Sequence, residues 1–300
     1  MSRRGYEPPR LLVAAASLRQ AARVPRDRML EVAARFREPE SLAVTLSKAL
    51  DAGAEGVLAT PGAVLDAAFA ELDRTVPIFV LLPDLPRTGR HALDPGRMDP
   101  LDGAGRGDGG LRTAWTRFSH AWPLMRRDFA ALVRLRIEAE AGRIARRALA
   151  GVVVAAGVTD LALAAGNRRF FAKLVRFVHG RFRVHAAFET LNLGLLLARL
   201  REWDVHPDFV VGPVNPRGVM MKPSPAATLD EMARSQLPVV ATQLRATGLS
   251  TLDEGARFAL DHGALGLAPD LADMDDVGAE LGRLRSWRDE KVRLEGSLRA

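Results

Sequence analysis

The chain of 300 residues contains no cysteine, one tyrosine and only four lysines. The absence of cysteine excludes disulfide bonds and thiolate chemistry. Long apolar runs are also missing, because the N-terminal stretch 11–16 is far shorter than the roughly 20 residues that a membrane helix needs. Pro8 and Pro9 interrupt the approach to this stretch, so we interpret it as a first strand rather than a signal peptide. We therefore predict a cytoplasmic protein with no membrane partner.

The basic residues are almost all arginines, and they give the chain a net charge of +7. They are spread along the sequence and many follow acidic residues, as Arg143 and Arg146 follow Glu138 and Glu140. Nucleic-acid binding surfaces typically concentrate basic residues in a patch, and no basic block is interleaved with aromatic residues here. We therefore expect a small anionic ligand and no nucleic-acid partner.

Eight short apolar segments alternate with stretches that carry apolar residues at helical spacing. Near-continuous apolar strands that alternate with helices are typical of a parallel sheet covered by helices. The sequence therefore predicts an α/β fold, a (β/α)8 TIM barrel in which residues 1–300 form one domain. The predicted strands are Leu11–Ser17, Gly56–Thr60, Pro77–Leu82, Gly151–Ala156, Arg183–Thr190, Asp208–Val214, Pro238–Leu244 and Ala264–Ala268.

Two segments of the chain are near copies of each other. Residues 49–59 and 259–268 both read as the last turn of a helix, a glycine (Gly53 or Gly263) and then a buried strand. Glycine is favoured where a chain leaves a helix through a left-handed conformation. The repeat indicates that one βα unit feeds the next at both places.

Two segments are additional to the eight strand–helix units of a simple barrel. Asp27–Phe36 predicts an extra helix after strand one. Residues 86–126, after strand three, form a long insertion rich in glycine, aspartate and proline that ends with Trp115, Phe118 and Trp122. This insertion suits a lid over the carboxyl ends of the strands. Packing of its aromatic residues on the barrel, or a homo-oligomer contact, accounts for it equally well.

Alternation along strand five predicts a buried carboxylate at the barrel mouth. If Val184 and Phe188 contact the helices, His185 and Glu189 face the lumen. Charged groups inside a core are costly unless they are paired or used, so Glu189 is the predicted general acid/base. His185 lies deeper, and we interpret it as a packed core histidine.

The same alternation was applied to the last two strands. If Val240 and Leu244 contact the helices, the side chains of strand seven that face inward are Ala241, Gln243 and Arg245. Asp270 faces inward after strand eight. Closure of the barrel top by a Glu189–Arg245 ion pair is the alternative to a functional role. The predicted polar ring consists of Glu189, Gln243, Arg245 and Asp270.

The loop after strand six is long and contains four prolines. Asn215 stands at the strand end, where its amide could orient a carbonyl, and Arg217 can bind a carboxylate or phosphate. Lys222 is one of the four lysines in a chain whose basic residues are almost all arginines. Lysine at this position suggests a need for a titratable amine. Its position eight residues beyond the strand argues against a Schiff base.

The segment after strand seven carries Gly248 and Ser250, followed by a helix start at Thr251. With the Gly263 junction, it resembles the phosphate-binding TIM barrels, among them class I aldolases and related lyases and isomerases. That resemblance implies substrate contacts at Gly248 and Ser250, beside the loops that bind phosphate in such barrels. The acidic segment 270–276 departs from the pattern, since its charge repels phosphate.

The leading hypothesis is an aldolase-like lyase or an isomerase that acts on a small anionic substrate containing a carbonyl. Glu189 and Lys222 would be catalytic, no cofactor is required, and the substrate would contact Asn215, Arg217, Gln243, Arg245, Gly248 and Ser250. In an alternative, Asp84, Glu189 and Asp270 hold Mg²⁺ or Mn²⁺ over an enolate. In a third, the barrel is a non-catalytic binding or assembly subunit.

Overall fold

The computed structural model of the protein describes residues 7–15, 26–82, 129–142, 144 and 148–298. Its centre is one sheet of eight strands in chain order, and every neighbouring pair is parallel. All eight predicted strands are confirmed; seven are shorter than predicted, and the fourth has the predicted length but begins two residues earlier. The strands are β1 (Leu12–Ala14), β2 (Gly56–Ala59), β3 (Ile78–Leu82), β4 (Leu149–Val154), β5 (His185–Glu189), β6 (Phe209–Pro213), β7 (Val239–Thr242) and β8 (Gly266–Leu267).

The first and last strands meet and close the sheet into a barrel. Parallel bridges join Leu11 to Leu267 and Ala14 to Asp270. Two main-chain hydrogen bonds support this seam, from Leu267 N to Arg10 O at 3.0 Å and from Ala14 N to Pro269 O at 2.8 Å. The predicted (β/α)8 TIM-barrel fold is therefore confirmed.

Helices cover the outside of the barrel and separate the strands. The extra helix predicted after strand one is present, since two helices lie between β1 and β2. The insertion at 86–126, with its three aromatic residues, lies outside the described residues, so its role as a lid or contact stays a prediction. The described helices are α1 (Arg26–Arg35), α2 (Pro39–Asp51), α3 (Ala63–Ala70), α4 (Phe129–Ala141), α5 (Ala156–Ala164), α6 (Arg168–Arg181), α7 (Leu193–Glu202), α8 (Pro225–Arg234), α9 (Leu252–Asp261) and α10 (Val277–Leu298).

Strand side chains divide into two apolar cores, as alternation requires. The outer core lies between strands and helices and includes Val80, Phe188 and Ala241. The inner core fills the barrel, with Phe79 and Phe209 in edge-to-face contact at 5.8 Å between ring centroids. The lumen is therefore packed at depth, and chemistry is confined to its ends.

The two matched segments adopt the same local structure. Gly53 follows α2 with φ of 101°, and Gly263 follows α9 with φ of 87°. Each chain segment then enters a strand, β2 or β8. Both positions need the left-handed conformation that glycine adopts without steric cost.

None of the helices in the described part of the chain combines the length and apolarity that a membrane crossing requires.

Candidate active site at the barrel mouth

The strand registers place eight side chains in two layers at the carboxyl ends of the strands. In such barrels, each layer takes four side chains from alternate strands. Both layers mix small apolar groups with hydroxyls and carboxylates, and neither contains lysine or arginine. The odd-numbered strands supply Ala14, Leu81, Glu189 and Thr242, and the even-numbered strands supply Thr60, Ala155, Pro213 and Asp270.

The prediction for strand seven was wrong by one residue. Val240 belongs to the inner core, whereas Ala241 and Leu244 belong to the outer core. Barrel interiors favour branched apolar residues, and the small Ala241 lets the helices approach the strand. Thr242 therefore takes the mouth position that we had assigned to Gln243. The predictions for strands five and eight are confirmed, since Ala187 and Ala268 face the lumen.

Glu189 is the buried carboxylate of the mouth, with 2% of its surface exposed. Its Oε2 accepts a hydrogen bond from the main-chain N–H of Ala156 at 3.0 Å. Ala156 is the first residue of α5, so the carboxylate lies at the positive end of that helix. This contact fixes one oxygen of Glu189.

A second carboxylate, that of Asp160, lies one turn after Ala156 on α5. It accepts hydrogen bonds from the Thr190 hydroxyl and from the Leu191 N–H, the latter at 3.1 Å. Burial raises the pKa of Asp160, and the charge of Glu189 adds to the increase, while the bonds from Thr190 and Leu191 oppose it. The carboxylates of Glu189 and Asp160 therefore both lie near the carboxyl end of β5.

The structure packs His185 in the barrel floor. Its ring lies 5.6 Å from that of Phe79 and 5.8 Å from that of Phe209, centroid to centroid. Burial lowers the pKa of His185, with a further lowering from His179 that Asp208 opposes. A neutral imidazole in an aromatic cluster agrees with our interpretation of a core histidine.

The two predicted substrate arginines lie in different loops, Arg217 in the loop after β6 and Arg245 in the loop after β7. Arg217 donates from Nε to Leu249 O at 3.1 Å, and Arg245 donates from Nη1 to Asp273 O at 2.7 Å. The buried Nε of Arg245 has no hydrogen-bond partner among the described residues. Gln243 starts this loop with φ of 54°. The three side chains therefore belong to the rim, above the two mouth layers.

The loop after β6 is held by Asn215. Its side-chain amide donates to Val219 O at 2.9 Å and accepts from Val219 N at 3.0 Å, and the residue is buried. The main-chain oxygen of Lys222 accepts from Gly194 N at 3.1 Å, which ties the loop to the start of α7, while the Lys222 side chain is exposed. The structure thus gives Asn215 a role in shaping the loop and does not bring Lys222 into the mouth layers.

In the loop after β7, which the resemblance assigns to phosphate binding, polar groups form hydrogen bonds with one another. Thr251 and Glu254 form a capping box in which Thr251 N donates to Glu254 at 2.9 Å and Glu254 N donates to Thr251 at 3.2 Å. The buried Ser250 hydroxyl donates to Leu244 O at 3.1 Å, and Gly248 has φ of 93°. Amides that would contact a phosphate are already used, so this helix start offers less to an anion than the resemblance implies.

The metal alternative involves two residues that the structure describes, Glu189 and Asp270, and one that it does not. Asp270 and Glu189 face the same mouth, and Asp270 Oδ1 accepts from Ala272 N at 3.0 Å. Asp84 lies outside the described residues. Within those residues, no group of three histidine, cysteine or acidic side chains is arranged to hold a metal ion.

Thr60 and Asp160 were not among the predicted site residues. Thr60 is buried directly after β2, and its hydroxyl has no hydrogen-bond partner among the described residues. The alternation that identified Glu189 would also have found Thr60, two residues beyond the inward-facing Leu58. Asp160 lies within α5 and accepts a hydrogen bond from the Leu191 N–H just after β5, a contact between distant parts of the chain that strand alternation does not predict.

Comparison with known proteins identifies no family for this chain. No family model and no curated protein matches the chain. Among solved structures, the chain is similar to one described as "QR15, an Aldolase", with 11% identity, a TM-score of 0.41, and coverage of 86% of this chain and 92% of that one. A likeness of this size carries no functional argument. The strand order and register show by themselves that the protein is a (β/α)8 barrel.

Proposed function

We propose that the protein is an enzyme of the lyase or isomerase type, and that it acts on a small substrate with a carbonyl and an anionic group. The observation that carries this proposal is the Glu189 carboxylate, buried at the barrel mouth. TIM-barrel enzymes place their catalytic groups at this end of the strands. A buried carboxylate is costly unless it is paired or used, and catalysis is the use that we infer for Glu189 beyond its contact with Ala156 N.

Glu189 would act as the general base and then as the general acid. For an aldolase-like cleavage, the carboxylate of Glu189 removes the proton of a hydroxyl that lies β to the carbonyl. The carbon–carbon bond breaks, and its electron pair passes to the carbonyl oxygen, which becomes an enolate. The protonated Glu189 then returns the proton to the enolate carbon. For an isomerisation, the same carboxylate moves a proton between neighbouring carbons.

Rim residues would bind the anionic end of the substrate. Among the described residues, Arg217 and Arg245 each donate one N–H group to a main-chain oxygen, and each has further donors for a carboxylate. Gln243, Gly248 and Ser250 belong to the same loop. Asn215 and Lys222 would act through the β6 loop, Asn215 by holding its shape and Lys222 by attracting negative charge from outside.

The test is turnover by purified protein with pyruvate, oxaloacetate, succinic semialdehyde and glyceraldehyde 3-phosphate, singly and in donor–acceptor pairs. Glu189→Gln preserves shape and the acceptor for Ala156 N, and we expect it to lower kcat by about 10²–10⁴. Glu290→Gln makes the same chemical change on the exposed face of α10 and should leave kcat unchanged. Equal turnover by Glu189→Gln and the unaltered protein would reject the assignment.

The second candidate function is a divalent-metal enzyme, favoured by the two carboxylates Glu189 and Asp270 at one mouth. Mg²⁺ and Mn²⁺ prefer such oxygen ligands, and the metal would supply a Lewis acid for an enolate. Elemental analysis of the purified protein, with activity measured before and after chelation, separates this candidate from the first. Turnover that survives complete chelation rejects the metal-dependent enzyme.

A further inference from the structure

The Thr60 side chain lies on the lumen side of the barrel wall. Its neighbours Ala59 and Pro61 both line a groove on the outer wall, beside α3, and Thr60 between them does not. Leu58, two residues earlier, belongs to the inner core. Alternation therefore directs Thr60 into the mouth, where only 5% of the residue is exposed.

The Thr60 hydroxyl differs from the hydroxyls of Thr159 and Thr228, which are also buried. Thr159 donates to Val154 O at 3.0 Å, and Thr228 donates to Ser224 O at 2.8 Å. The Thr60 Oγ1 has no hydrogen-bond partner among the described residues. Buried polar groups are almost always hydrogen-bonded, and an exception points to a group that is kept free for a ligand.

The charges around Thr60 restrict the chemistry of that ligand. Asp270 lies in the same layer and Glu189 in the adjacent one, and neither layer contains lysine or arginine. A carboxylate or phosphate at this depth would be repelled by two carboxylates in a partly desolvated site. An uncharged carbonyl oxygen would instead accept the proton that Thr60 has available.

We propose that Thr60 donates a hydrogen bond to an uncharged carbonyl oxygen of the substrate, and that the anionic group of the substrate is separated from this carbonyl and lies toward Arg217 and Arg245. The inference rests on the proposed function and adds the substrate class: an aldehyde or ketone with its charge several bonds away. Compounds with a carboxylate directly on the carbonyl carbon fit less well.

The first experiment measures thermal unfolding of the ligand-free protein. Thr60→Val removes a hydroxyl that has no partner, so we expect an unchanged midpoint or a rise of about 2 °C. Thr159→Val removes a hydroxyl that is fully buried and bonded, and its midpoint should fall. A fall for Thr60→Val equal to that for Thr159→Val would show that the protein itself uses the Thr60 hydroxyl, and would overturn the proposal.

The second experiment measures binding by calorimetry with three probes: succinic semialdehyde, succinate and butyrate. They share a carboxylate and chain length and differ in whether the far end is an aldehyde, a carboxylate or a methyl group. We expect the semialdehyde to bind about tenfold more tightly than the others, Thr60→Val to lose about tenfold, and Thr60→Ser to stay within about threefold. Equal binding of the probes, no binding of the semialdehyde, or unchanged binding by Thr60→Val each overturns the proposal.

Glu189→Gln separates this inference from the proposed function. If Glu189→Gln binds the semialdehyde but keeps full turnover, the catalytic assignment fails and the role of Thr60 stands. If Thr60→Val binds as the unaltered protein does while Glu189→Gln loses turnover, the role of Thr60 fails and the catalytic assignment stands.

Discussion

Ala156 and Asp160 lie one turn apart on α5, and both bind the carboxyl end of β5. The Ala156 N–H donates to the Glu189 carboxylate at 3.0 Å, and Asp160 accepts from the Leu191 N–H at 3.1 Å and from the Thr190 hydroxyl. Residues four apart on a helix share a face. One helix face thus fixes both the Glu189 side chain and the main chain that follows it.

Asp160→Ala should impair both stability and turnover. The change leaves the Leu191 N–H and the Thr190 hydroxyl without their acceptor, which we expect to lower the free energy of unfolding by about 1–2 kcal/mol. Because the Glu189 main chain is then less restrained, kcat should fall at least about tenfold with a smaller change in KM. Denaturant unfolding and steady-state kinetics measure the two effects.

Asp204→Ala is the matched control for that change. Asp204 is an exposed aspartate whose side chain bonds to His206 at 2.7 Å, remote from β5's carboxyl end. Because Asp204 has φ of 53°, a conformation that alanine adopts less readily than aspartate, its removal should lower the free energy of unfolding by about 1 kcal/mol or less and leave kcat unchanged. A kcat for Asp160→Ala equal to that of Asp204→Ala would contradict a positioning role.

His185 should make the protein sensitive to mild acid. Burial lowers the pKa of His185 in the folded state, so below its ordinary value of about 6.5 the unfolded chain binds a proton that the folded protein does not. Stability from this residue is therefore present above pH 6.5 and is lost as the pH falls below it.

Unfolding curves at several pH values test this prediction on His185→Leu. That variant should lose less stability than the unaltered protein as the pH falls below about 6.5. His206→Leu, a change at an exposed histidine, should follow the unaltered protein instead. Parallel curves for His185→Leu and the unaltered protein would contradict a neutral, buried imidazole.

Two glycines in helices should respond in opposite ways to alanine. A Cβ on Gly255 would lie 2.0 Å from the main-chain oxygen of Leu244, because α9 packs directly on the chain that leaves β7. We expect Gly255→Ala to lower the free energy of unfolding by about 3 kcal/mol. At Gly282 in α10 nothing lies within 4 Å of the added atom, so Gly282→Ala should raise it by about 0.5–1 kcal/mol. Denaturant titration measures both, and equal effects would show that the close approach of α9 is absent in solution.

The capping box at Thr251 predicts weak binding of free phosphate. Thr251→Ala should destabilise the protein by about 1 kcal/mol, because α9 loses its cap. The exposed Ser286 provides the control, and Ser286→Ala should change stability by less than about 0.5 kcal/mol. Inorganic phosphate should leave the melting midpoint of the unaltered protein unchanged. A phosphate-dependent rise that Thr251→Ala abolishes would restore the phosphate site that the resemblance implies.

The amino-acid sequence alone determined the barrel, because each βα unit carries its own local signals. Apolar strands, helical spacing and the two glycines at 53 and 263 act within a few residues, and the structure follows them closely. Glu189 was also predictable, since Phe188 clearly prefers the helix layer and fixes the phase of β5.

Only the tertiary structure decided which polar groups share the mouth. Strand seven offers Val240 and Ala241, both apolar, so its phase depends on the space left by neighbouring strands and helices. Likewise, Asp160 is identified by its contact with Leu191, which is distant in the sequence. Thr60 is identified by a buried hydroxyl that has no hydrogen-bond partner among the described residues. Hydrophobic periodicity reports burial, but the pairing of polar groups depends on strand register and on how the barrel closes, which no local pattern contains.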